Sequence, residues 1–136
     1  MAMTILNYYL IQKEIYEKLI ENSQLMAKVN GVFDYLPQNT DFPFITINGA
    51  TGVDFSNLMK NGGEYGFVIN IWSREAGNKQ SAEIMELVYE ILHNGNITVS
   101  GKNFVSMKIT ETSIKLEVDG ITYHGEISLK ILLMNS

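Results

Sequence analysis

Cysteine is absent from this 136-residue chain, which excludes disulfides, thiol nucleophiles and cysteine-ligated zinc or iron–sulfur centres and fits a reducing compartment. Histidine occurs twice, at His93 and His124, and neither has a second ligand at helical or alternating spacing, so no metal site is expected. Arg74 is the sole arginine, and 10 basic against 15 acidic residues leave a formal charge of -5. That charge is spread. Met1 to Gly31 balances, Val32 to Gly63 carries -2, Glu64 to Asn96 carries -3, and Ile97 to Ser136 balances again. With no basic segment, counterion release from phosphates has no source, and sequence-specific nucleic-acid binding is not expected. No apolar run approaches the roughly 20 residues that span a bilayer, and Met1 to Tyr9 lacks a basic leader. Neither a membrane nor export is expected.

Motifs for catalysis are missing too. No Gly-x-Ser-x-Gly occurs, and Ser73 has no assigned base. The Gly-rich stretches Gly49–Gly52 and Gly62–Gly66 match neither a Walker loop nor a dinucleotide fingerprint, so no cofactor is expected. Glu83, Glu86 and Glu90 follow helical spacing on a solvated stripe, and no carboxylate pair is placed for acid–base work.

What the chain does have is 46% hydrophobic residues, enough for one core in one domain and with no room for a second. From about Thr4 to Met26, Tyr8, Ile11, Ile15, Leu19 and Ile20 recur at helical spacing. A second helix is predicted over Lys79 to His93, with Ile84, Met85, Val88, Ile91 and Leu92 on one stripe. Between them lie a short strand at Val32 to Tyr35, an irregular stretch forced by Pro37 and Pro43, and a strand from Phe44 to Ile47. Part of the stretch Asn48 to Gly63, rich in Gly and Asn, reads as a long mobile loop.

Glu64 to Arg74 alternates most clearly. Tyr65, Phe67, Ile69 and Ile71 form a core face; Val68, Asn70, Trp72 and Arg74 form a second face too apolar for plain exposure and too polar for an interior. After the second helix, strands are predicted at Ile97–Val99, Phe104–Ile109, Ser113–Val118 and Ile121–Met134, with a bulge or break near Thr110 to Ser113 where the apolar parity flips. Asp119-Gly120 reads as a two-residue type I′ turn pairing Val118 with Ile121 and Leu116 with Tyr123. Those four form one apolar face; Lys115, Glu117, Thr122 and His124 lie on the other. The expected fold is α+β: a single domain, 1–136, with a mainly antiparallel sheet and two helices packed on one face.

The candidate contact residues are therefore Trp72 and Arg74, of residue types enriched in interface hot spots, with Val68 and Asn70 on the same face. The segment holding Pro37, Phe42 and Phe44 is a second candidate patch.

In order and spacing, Val32-Phe33-Asp34, Pro37-Gln38, Phe42-Pro43-Phe44, Ile71-Trp72-Ser73-Arg74-Glu75-Ala76-Gly77, Asp119-Gly120 and His124-Gly125 resemble the tail-completion family of long-tailed phages, prophages and gene transfer agents. The resemblance spans nearly the whole chain. It implies a non-enzymatic structural protein that forms a ring, typically a hexamer, on the last tail-tube ring, stops tube growth and receives the head connector. The implied partners are further copies of the chain, the tail tube protein and the head–tail connector protein, met first in host cytoplasm and then in the virion tail. From other classes, a ligand-binding or enzymatic α+β domain would show a pocket holding His124 and a carboxylate, and an adaptor would bind a peptide on a sheet edge.

Overall fold

The computed structural model describes residues 8–54 and 62–135. Its elements run α1 (Tyr8–Ile20), α2 (Ser23–Met26), β1 (Val32–Phe33), β2 (Phe44–Asp54), β3 (Gly62–Ser73), α3 (Lys79–Leu92), β4 (Lys102–Leu116) and β5 (Tyr123–Asn135). They form an α+β fold, as the sequence predicts, on a five-stranded sheet of order β1-β2-β3-β5-β4. All neighbours are antiparallel except β1 and β2, which makes the sheet mixed. The connection from 34 to 43 does not reverse the chain as a hairpin would, and the two prolines in it have no amide hydrogen for a ladder.

Helical periodicity places Ile11, Ile15 and Leu19 of α1 and Ile84, Val88 and Leu92 of α3 against one sheet face. Strand alternation delivers Ile45 and Ile47 from β2, Tyr65, Phe67, Ile69 and Ile71 from β3, and Ile127, Leu129, Ile131 and Leu133 from β5 to the same layer. The first predicted helix is split, because Asn22 turns extended and its side-chain Oδ1 accepts from Leu25 N at 2.9 Å, capping α2. Among the described residues three helices, one of them a single turn, therefore stand where two were expected.

Of the Gly- and Asn-rich stretch from Asn48 to Gly63, residues 48–54 and 62–63 are strand. After a register shift between Asn48 and Thr51, the ladder continues from Thr51↔Gly66 to Asp54↔Gly63. Glycine here marks close approach: a Cβ on Gly66 would meet Thr51 Oγ1 at 2.6 Å, and one on Gly62 would meet the Leu133 carbonyl at 2.8 Å. Residues 55–61 of the expected loop lie outside the described residues.

β4 is one strand where two were predicted. It shifts register at Ile109/Glu111, beside the expected break, and also at Phe104/Ser106, where Val105 is thrown outward and exposed. Ile97 to Val99 is not a strand. Ile97 and Val99 are buried in the core, and Thr98 N donates to Glu14 Oε1 at 3.3 Å. His93 caps α3 as expected; its Nδ1 accepts from Ile109 N at 3.0 Å.

An aromatic groove on the open face of the sheet

On the face away from the helices, register aligns Phe44, Trp72 and His124 across β2, β3 and β5, and Thr46, Asn70 and Glu126 one step along. Strand parity alone thus carries three ring residues to one row. Trp72 stacks on His124 with centroids 4.0 Å apart and planes at 9°. Phe44 lies beside Trp72 at 6.5 Å, Phe42 tilts onto Phe44 at 4.9 Å, and Phe33 meets Phe44 edge-on at 6.4 Å. Phe42 is placed by Asn30, whose Nδ2 donates to the carbonyls of Asp41 and Phe42 at 3.1 and 3.0 Å. The Phe42–Pro43 bond is cis.

The polar groups among these rings are spoken for. His124 Nε2 lies 2.6 Å from Asn70 Oδ1 and its Nδ1 3.1 Å from Glu117 Oε2, so both ring nitrogens face protein oxygens. Asn70 Nδ2 donates to Asn48 Oδ1 at 2.7 Å, and Trp72 Nε1 to Thr46 Oγ1 at 3.1 Å. The indole covers His124, and protein oxygens take both of its ring nitrogens.

The hairpin between β4 and β5 forms one wall of the groove. Leu116 pairs with Tyr123 as predicted, but the turn is not type I′: Gly120 has φ +76° while Asp119 does not have positive φ. Instead, Glu117 N donates to the Thr122 carbonyl at 2.7 Å, Gly120 N to the Glu117 carbonyl at 3.0 Å, and Asp119 braces the loop from inside. Its Oδ1 accepts from Ile121 N and Thr122 N, each at 2.9 Å, and its Oδ2 from Thr122 Oγ1 at 2.6 Å. The Thr122 hydroxyl, then the Ile121 and Thr122 amides, with a smaller share from Arg74, hold the Asp119 carboxyl down at about 2. Arg74 ties the walls together: its Nε donates to Thr122 Oγ1 at 3.0 Å, its Nη2 sits 3.9 Å from Asp119 Oδ2, and its guanidinium lies 4.3 Å over the Phe42 ring.

The result is an open groove of roughly 640 Å3, with Phe42, Phe44 and Trp72 in its lining and Tyr35, Leu36 and Val118 at its exposed margin. The sequence separated Trp72 and Arg74 from Phe42 and Phe44 as two patches; the structure joins them in one. Pro37 lies in the same connection without lining the groove, and its carbonyl accepts from Thr40 Oγ1 at 2.7 Å. Val68 is half-buried further along the face, and Asn70 is buried as a bracket beneath it. Parity set the hairpin's register, and its apolar face proves to be a solvent-facing one at the tip. Leu116, Val118 and Ile121, read as an apolar face, are exposed, whereas Thr122 and most of His124 are covered. Tyr35, Leu36 and Val118 gave no signal as groove residues because only the folded chain brings residues 35 and 118 together.

A smaller hollow of roughly 350 Å3 between α1 and the β1–β2 end is lined by Tyr9, Gln12, Tyr16, Phe33 and Asp34 among others, and Gln12 Nε2 donates to Asp34 Oδ2 there at 3.1 Å. Among the described residues no three His, Asp or Glu side chains cluster as metal ligands. No helix among them is long and apolar enough to cross a membrane.

The motifs that converge on this groove come from segments some 90 residues apart, and comparison with known proteins says what they belong to. Tail completion protein gp17 of Bacillus phage SPP1 is 23% identical over 126 residues, covering 93% of both chains. The solved structure of bacteriophage SPP1 gp17 superposes with a TM-score of 0.68 at 21% identity, covering 96% of this chain and 95% of that one. A chain from the virion of a native gene transfer agent particle shares the fold more closely, with a TM-score of 0.83 at 17% identity over 91% of this chain and 94% of its own. The first is thus a tail completion protein by name, and the last is part of a virion. The model of the family described as tail completion protein gp17 matches residues 13–133: the chain belongs to that family, whose members are structural tail proteins and not enzymes.

Proposed function

We propose that this protein closes the head-proximal end of a phage tail tube, assembling there as a ring of copies, most simply a hexamer, that ends tube growth and receives the head connector. It assembles in the host cytoplasm and ends in the virion. The aromatic groove is the docking surface in this reading. The observation that carries it is the groove itself: an open apolar surface built from three distant segments, with Asn70 and His124 bonded to each other and Arg74 held by Thr122 and Asp119. A surface so braced meets a partner with little further ordering, which favours affinity. Arg, Trp and Phe are types that anchor interfaces.

Phage assembly lacking the chain, complemented by Phe42→Ala/Arg74→Ala protein, tests this by electron microscopy. Overgrown tails and unjoined heads are expected; normal joined particles would remove the groove from the assembly contact.

A further inference from the structure

Helix α3 presents two adjacent stripes. Ser81, Ile84, Val88 and Leu92 are buried in the core. Ala82, Met85, Glu86 and Tyr89, at the same i, i+3, i+4, i+7 spacing, line the side of the helix that faces β4. Between them and Ile114 lies a further hollow of roughly 410 Å3, on the helix side of the sheet and apart from the groove. Met85 sits low in it because Gly125, the β5 partner of Ile114, leaves room: a Cβ there would meet Met85 Cε at 3.1 Å. Tyr89 is 41% exposed. His93 stacks on its ring with centroids 4.5 Å apart, and His93 is itself fixed by the Ile109 amide on its Nδ1.

The row Glu83, Glu86 and Glu90 reads in sequence as one solvated stripe, and in the structure it divides. Glu83 pairs with Lys28 at 3.7 Å, whereas Glu86 and Glu90 form no ion pair among the described residues. Both line the hollow, which has no Lys or Arg in its lining. They stand one helical turn apart, a spacing at which like charges repel and weaken a helix. Apolar walls with two unanswered carboxylates and an exposed ring complement a side chain that is apolar along its stem and cationic at its tip. Arginine matches the whole set. Its planar guanidinium lies on an aromatic face and its fork of N–H donors serves two carboxylates at once, whereas the lysine ammonium is a strongly hydrated point charge. A second copy does not supply it, since Arg74, the sole arginine, is held in the groove by Thr122, Asp119 and Phe42.

We infer that the hollow between α3 and β4 receives an arginine side chain of another protein, its stem against Ala82, Met85 and Ile114 and its guanidinium at Glu86, Glu90 and Tyr89. This docking site lies on the other face of the sheet from the groove and does not depend on the groove's role.

The isotope-labelled chain, followed by amide NMR at low ionic strength, is titrated with the capped peptide acetyl-Leu-Arg-Leu-amide. Counterparts carry lysine, or citrulline as the uncharged isostere of arginine. Saturable shifts at Tyr89, Glu90 and Ile114 are expected from the arginine peptide, weaker binding from the lysine peptide and none from the citrulline peptide. Glu86→Gln/Glu90→Gln protein should keep the parent's melting curve, because both side chains are exposed, and should bind the arginine peptide roughly fivefold more weakly. Citrulline or lysine binding as tightly as arginine, undiminished binding by the double variant, shifts confined to the groove around Trp72, or no saturable shift would each overturn the inference. Failure of the groove's assembly role would move none of these readings.

Discussion

The two faces of this sheet are built from alternate residues of the same strands and are held by different forces. The covered face is aliphatic: Ile45, Ile69, Ile71, Ile127 and Ile131 are wholly buried under Ile11, Ile15, Ile84 and Val88. Its stabilisation is non-directional, scaling with the area taken from water at about 25 cal/mol per Å2. The open face is aromatic and polar, and directional contacts fix it: indole on imidazole, amide on imidazole, guanidinium on hydroxyl, carboxylate and ring. The covered face makes the protein fold. The open face, left uncovered by the protein's own helices, is the one that the proposed assembly contact uses.

That division predicts a graded set of effects. Truncating the covered face at Ile69→Ala should cost about 2–5 kcal/mol, the range for aliphatic truncation in a packed core. Urea unfolding at constant m-value measures it, and a cost as small as that of a surface change would break the distinction. Asn70→Ala removes the bracket between Asn48 and His124 and leaves a nearly buried ring nitrogen unpaired, so a loss of about 1–3 kcal/mol is expected in the same measurement. Arg74→Ala should cost below about 1 kcal/mol, since its ion pair is half exposed. It should nevertheless loosen the hairpin tip against Phe42, seen as faster amide exchange at Ile121 and Thr122 than in the parent.

The smallest effect is one of acid. The folded Asp119 carboxyl titrates at about 2 against an ordinary 3.8. A depressed folded value means that its contribution is present above the ordinary value and is lost as pH falls through the folded one. Asp119→Asn should therefore flatten stability against pH between about 4 and 2 and leave it unchanged in slope near neutrality. Carboxyl chemical shifts followed by NMR through that window check the assignment directly.

The covered face was legible in the sequence because period and polarity agree there. Tyr65, Phe67, Ile69 and Ile71 fall on every second position and are all buried, and α3 repeats its apolar stripe over fourteen residues. The groove was only half legible. Trp72 and Arg74 stood out by residue type, but their partnership with Phe42 depends on a chain path through cis Pro43 and Asn30 that no periodicity encodes. The hairpin shows how pattern misleads: its register was readable from Asp119-Gly120, whereas Leu116, Val118 and Ile121 mimic a core face while pointing into solvent. An apolar surface left in solvent looks in sequence like one kept for the interior. At Gly62 and Gly66, glycines that serve close strand contact resemble in sequence those of a loop.

The central claim is that the open face serves assembly and the covered face serves folding. Electron microscopy of particles complemented with Phe42→Ala/Arg74→Ala protein, after its melting curve is shown to lie close to the parent's, tests that claim most directly. Folded protein with separate heads and abnormally long tails is the predicted result; joined particles with tails of normal length would contradict it.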